Sequence, residues 1–62
     1  MKLEIIKDFD GTYYCNLRDV SEYVSLSQLK TALKDKHGIT LNPLSSLEKI
    51  ATKRKTYYYQ EV

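Results

Sequence analysis

The residues with the most chemistry to offer lie near the C-terminal end, where Lys53-Arg54-Lys55 run directly into Thr56-Tyr57-Tyr58-Tyr59. Cations beside tyrosines can hold phosphates, and the phenols can bond phosphate oxygens or stack on bases. The same types also build protein-binding patches, where Tyr and Arg are over-represented. In a strand, Tyr58 faces one side and Tyr57 and Tyr59 the other, so at least one ring stays partly exposed beside the cations. A half-buried strand preceded by a charge cluster at a helix C-terminus explains the run without any binding.

A second set lies mid-chain. Opposite Leu29 and Leu33 on a helical period stand Ser27, Lys30, Thr31 and Lys34, with Gln28 beside them. These types contact phosphates and base edges. Their plain alternative is an ordinary solvated helix face.

Catalysis needs groups that converge, such as a nucleophile with a base or two carboxylates in opposed environments. Cys15 and His37 are the only soft pair, and nothing in the spacing joins them. Cys15 reads as a packed core thiol and His37 as a helix C-terminal residue meeting the dipole. Asp8-Phe9-Asp10-Gly11 matches part of a calcium loop, but the further ligands and the closing glutamate are missing, so it reads as a turn. The two glycines are too far apart for a phosphate loop. The expectation is therefore no enzyme, no cofactor and no metal.

These side chains must be positioned by a chain of 62 residues, which is room for one domain, 1–62. So short a chain hides only about 60% of its unfolded surface, and one cysteine gives no internal disulfide to compensate. At 42% hydrophobic and 29% charged it is globular in composition, and its formal charge of +2 is mildly basic. No apolar run is long enough to span a membrane and no secretory signal follows Met1-Lys2, which with the sparse cysteine suggests a cytoplasmic protein.

Period-two alternation flanks Asp10-Gly11: Leu3, Ile5 and Phe9 on one side, Tyr13, Cys15 and Leu17 on the other. That is the strongest short-range hairpin signal and predicts strands near 2–9 and 12–16. Lys7 falls on the apolar face, where that face should reach solvent. The period then changes. Leu17, Val20, Tyr23 and Val24 predict a short helix over 19–24, capped through Asp19 and Glu22 or through Asn16 and Asp19. Ser25 and Gln28 introduce a second helix over 27–36, with Leu26, Leu29, Ala32 and Leu33 inward and Gly38 as its stop. Asn42 and Pro43 open a third over 43–52, carrying Leu44, Leu47, Ile50 and Ala51 and ending at the Lys53–Lys55 cluster. The β-formers of 56–62 should pair with the hairpin.

Two families share these patterns. Lys2 to Gly11, followed by Tyr13-Tyr14-Cys15-Asn16-Leu17-Arg18-Asp19-Val20-Ser21-Glu22-Tyr23-Val24, resembles the opening of phage antirepressor-type modules (KilA-N, Bro-N and Rha-like). There a hairpin leads into a short helix near an Arg/Lys-Asp-Val-Ala pattern, with Ser21 here in place of the alanine. Lys53 to Val62 is similar to the basic-aromatic closing piece of excisionase and MerR-like winged helices. That second pattern would make 43–53 an irregular wing, where the residue spacing predicts a helix. The resemblance implies a DNA-binding module of a mobile element.

The fold expected is α+β: ββαααβ, a three-stranded antiparallel sheet with helix-turn-helix or winged-helix-like helices. One core would hold Leu3, Ile5, Tyr13, Cys15, Leu29, Leu33, Leu47 and Ile50. The function expected is a small DNA-binding regulatory module of phage, plasmid or transposon type. Ser27, Gln28, Lys30, Thr31 and Lys34 would enter a major groove of double-stranded DNA, and Lys53, Arg54 and Lys55 would hold phosphates with Tyr57 or Tyr59 in support. So few phosphate contacts imply weak binding unaided by homodimerisation or a partner protein. The rival expectation is a protein–protein interaction module, such as a small phage-encoded inhibitor of a host protein, docking by strand addition along the tyrosine strand. The strand-like end at Val62, with no closing turn, also suits a domain cut from a longer chain.

Overall fold

The computed structural model describes residues 1–20, 22–23 and 25–62. The alternation around Asp10-Gly11 forms a hairpin of β1 (Lys2–Asp8) and β2 (Tyr13–Cys15), with Ile5 opposite Cys15 and Lys7 opposite Tyr13. Gly11 takes φ 89° at its turn, a left-handed value that costs glycine nothing. The middle helix forms as α1 (Leu26–His37). Ser25 caps it, its Oγ accepting from the Gln28 N–H at 3.3 Å. Gly38 ends it in the left-handed conformation at φ 65°.

The three-stranded sheet with three helices is not what forms. Five strands make one antiparallel sheet, and α1 is the only α-helix among the described residues. The two remaining expected helices become strands. Residues 19–24 give a 3-10 turn (Arg18–Val20) and then β3 (Glu22–Tyr23), whose pairing with Tyr13 and Tyr14 supplies backbone bonds to the free edge of β2. Val24 of the expected helical stripe and Ser21 of the antirepressor pattern lie outside the described residues. The segment 43–52 gives a 3-10 turn (Leu44–Ser46) and β4 (Glu48–Ala51). Pro43 has a helical φ but an extended ψ of 134°. The Ser46 hydroxyl donates to the Pro43 carbonyl at 2.7 Å, the local bonding by which serine competes with helical backbone. Ile50, expected in the core, is instead 57% exposed. With no second α-helix beside α1, a helix-turn-helix is excluded among the described residues.

The last strand, β5 (Lys55–Glu61), pairs with β1 along seven residues, from Lys2 opposite Glu61 to Asp8 opposite Lys55. Its other edge takes β4, giving the order β3-β2-β1-β5-β4. The tyrosine strand is therefore paired on both sides, with β1 from Lys55 to Glu61 and with β4 from Thr56 to Tyr59.

Register settles which side chains share a face, because successive residues alternate. Leu3 and Ile5 are fully buried, and their face also carries Lys7, Tyr13, Cys15, Tyr23, Lys49, Thr56, Tyr58 and Gln60. Above it pack Val20, Leu29, Leu33 and Leu41, with Tyr13 and Leu47 partly buried against them. Gln60 seats the segment after α1: its Nε2 donates to the Thr40 carbonyl at 3.0 Å, and its Oε1 accepts from the Asn42 N–H at 2.9 Å. The opposite face has no helix over it among the described residues. There Tyr14, Ile6, Tyr57 and Ile50 form a row, and all the strand carboxylates collect: Glu4, Asp8, Glu22, Glu48 and Glu61. No helix of the described residues is long and apolar enough to cross a membrane.

Candidate nucleic-acid interface

Pairing Asp8 with Lys55 brings two hairpin tips side by side at one end of the sheet. The first tip is held by its own carboxylates. Asp8 Oδ1 accepts from the Phe9 N–H at 2.8 Å, and Asp10 Oδ1 from the Thr12 N–H at 2.9 Å. The bonds from Thr12 hold the Asp10 carboxyl below its ordinary range. Turn geometry thus pushes Phe9 outward, and it is 76% exposed.

The second tip reverses over Lys53-Arg54. Among the described residues no non-glycine has positive φ, so this turn forgoes the left-handed geometry that short hairpins favour. Thr52 compensates: its N–H and hydroxyl both donate to the Lys55 carbonyl, at 2.7 and 2.9 Å, and its Oγ1 accepts from the Lys55 N–H at 3.0 Å. Both central side chains are left free to project.

Between the tips lies a cleft of about 240 Å³, lined among others by Lys7, Phe9, Lys53, Arg54, Lys55 and Tyr58 and by one carboxylate, Asp8, whose Oδ1 is engaged by the Phe9 N–H. The Arg54 guanidinium stands 5.9 Å from the Phe9 ring centre and Lys7 Nζ 6.0 Å from that of Tyr13, within cation–π range. Among the described residues, the ion pairs are Met1–Glu61, Lys2–Glu48 and His37–Asp19. Lys7, Lys53, Arg54 and Lys55 thus stand without a carboxylate partner there. Four cations around an exposed ring can neutralise phosphates while the ring meets a base or sugar.

The other residues expected to bind are dispersed. Ser27, Gln28 and Thr31 line a groove of about 650 Å³ between α1 and the edge strand β3, in company with Glu22 and Asp35. Lys30 and Lys34 are exposed and, by the helical period, lie on the flank of α1 away from that groove. Tyr57 and Tyr59 are on the open, carboxylate-bearing face, where hydrogen bonding to Glu4 and then burial raise the Tyr59 phenol. Tyr58 is the tyrosine that reaches the basic cleft. Lys7, Phe9 and Tyr58 are absent from the sequence-derived set. Phe9 beside Asp-Gly carried a usable signal, since a residue at a hairpin tip is driven outward; the adjacency of the tips depended on register.

Cys15 is buried, and burial first of all raises its thiol, opposing thiolate formation. Its sulfur meets Asn16 Oδ1 at 3.7 Å, whereas His37 Nε2 lies 2.8 Å from Asp19 Oδ1. The structure gives the two separate partners.

No family model, curated protein or solved structure matches the chain, so geometry alone carries the functional argument.

Proposed function

We propose that this chain is a small DNA-binding module that holds the phosphate backbone between its two hairpin tips. The observation that carries the reading is the set of four cations without carboxylate partners, Lys7, Lys53, Arg54 and Lys55, gathered around exposed Phe9. Placement of a helix in the major groove forms no part of it, because the Ser27–Gln28–Thr31 side of α1 shares its groove with Glu22 and Asp35 against Lys36 alone, whereas the cleft sets four cations against Asp8. Contacts made chiefly to phosphates carry little sequence information, so binding is weak, strongly salt-dependent and nearly indifferent to sequence. Lys49 on the helix-bearing sheet face, and Lys30 and Lys34 on α1, add positive charge to these four without a strand carboxylate among them.

Fluorescence anisotropy with a labelled duplex across a salt series tests this. Four phosphate contacts give a log–log salt slope of about −3.6, or roughly a hundredfold loss of affinity between about 50 and 200 mM salt. Replacing Lys53 and Arg54 together by Gln removes about two contacts and should bring the slope to about −1.8, equally on unrelated sequences. Absence of binding to any duplex at about 50 mM salt, with the protein folded, refutes the proposal.

A further inference from the structure

We infer that the open face of the sheet is a docking surface for a cationic amphipathic helix of a partner protein. This surface is distinct from the basic cleft and does not depend on DNA binding.

The row Tyr14–Ile6–Tyr57–Ile50 runs in register across β2, β1, β5 and β4. Four strands at about 4.8 Å spacing make this row about 14 Å wide, the length of two to three helical turns. Ile50 at one end is 57% exposed, and Ile6, Tyr14 and Tyr57 are half-buried. An apolar sheet face is ordinarily covered by a second layer, as α1 covers the other side of this sheet. The face of a sheet offers side chains and no free backbone bonds, so an isolated strand gains no backbone pairing there, whereas an amphipathic helix can lay its apolar stripe along the row.

Charge selects the kind of helix. Around the row stand Glu4, Asp8, Glu22, Glu48 and Glu61, against only Lys2 and Lys55. Lys2 meets Glu48 at 3.8 Å and the Met1 ammonium meets Glu61 at 3.4 Å, leaving Glu4, Asp8 and Glu22 without an ion-paired cation among the described residues. The field also shows in the phenols: burial, then Glu22 and Asp8, raises Tyr14. A second copy packed through the same face would set carboxylates against carboxylates, and a polyanion would be repelled. A helix with leucines on one stripe and lysines or arginines beside it meets both the row and its rim.

The chain as a whole carries +2, so binding of a cationic helix is not what net charge alone would give. The test uses two designed helical peptides with the same leucine stripe, one with lysine and one with glutamate on the polar face. Each is titrated into ¹⁵N-labelled protein. The lysine peptide should shift amides of β1, β4 and β5, and bind at least about tenfold more tightly than its glutamate twin. Ile50→Lys should weaken it by about tenfold, as removal of an apolar anchor does. Glu4→Gln with Glu48→Gln should weaken the lysine peptide alone, whereas Lys53→Gln with Arg54→Gln, which tests the DNA cleft, should leave it unchanged. Equal binding of both peptides, no binding, or shifts confined to the α1–β3 groove overturns the inference. So does self-association in sedimentation that Ile50→Lys abolishes, since a second copy would then be the occupant.

Discussion

Gln60 is the buried polar side chain on which the seating of the segment after α1 depends, and its replacement by Met gives a quantitative test of that role. Met keeps the length of Gln and fills the same space, so the change removes hydrogen bonds without opening a cavity. Two backbone groups lose their partner, the Thr40 carbonyl and the Asn42 N–H. An orphaned buried group costs about 1–3 kcal/mol. Thr40 and Asn42 are themselves exposed, so water can reach part of each, and the low end applies. The expected total is about 2 kcal/mol. Against a whole-chain stability of about 3–9 kcal/mol for this length, that is a large fraction. It corresponds to a fall in Tm of about 8–16 °C at the sensitivity of a small domain. Leu41, buried between the two released residues, should loosen with them. Urea titration gives the global loss, and hydrogen exchange at the Asn42 amide gives the local one. A loss below about 0.5 kcal/mol with Asn42 still protected would refute the reasoning, because the clamp would then be incidental.

Two further outcomes follow from the packing and the charges. Leu33 is fully buried, so Leu33→Ala should cost about 2–5 kcal/mol in the same titration, and a cost under about 0.5 kcal/mol would contradict its place in the core. Asp19 is held below its ordinary 3.8, first by the hydrogen bond from His37. A carboxyl depressed on folding adds stability that is fully present above the unfolded value and is lost as pH falls through the folded one. Urea midpoints measured from about pH 5 down to about pH 3 should therefore fall less steeply in Asp19→Asn than in the unaltered protein, and identical pH profiles would count against the pair.

What the sequence made legible was local. The Asp-Gly hairpin, the Ser25 cap and the Gly38 stop each depend on residues a few positions apart, and the strand character of the tyrosine run on its own β-forming residues. Their signals survive in β1, β2, α1 and β5. The failures lie where pairing with a neighbouring strand decided the outcome. Leu44, Leu47, Ile50 and Ala51 sit at helical spacing, yet Glu48–Ala51 also fit the free edge of β5. Residues 19–24 were likewise claimed by the edge of β2. Short apolar periods do not distinguish the two states, and tertiary pairing overrides weak propensity.

The same distinction governs the candidate sites. Lys53, Arg54 and Lys55 were conspicuous as a run, but their company was not: β5 delivers alternate tyrosines to surfaces of opposite charge. Tyr58 lines the basic cleft, whereas Tyr57 and Tyr59 join the carboxylate-bearing face. A slip of one residue of β5 against β1 would exchange every side chain that β5 contributes to the two surfaces. It would turn Tyr58 out among the carboxylates and Gln60 away from Thr40 and Asn42. Gln60, whose two bonds form only in the observed register, therefore locks the strand on which both surfaces depend. Its substitution should disturb cleft and open face together, although it belongs to neither.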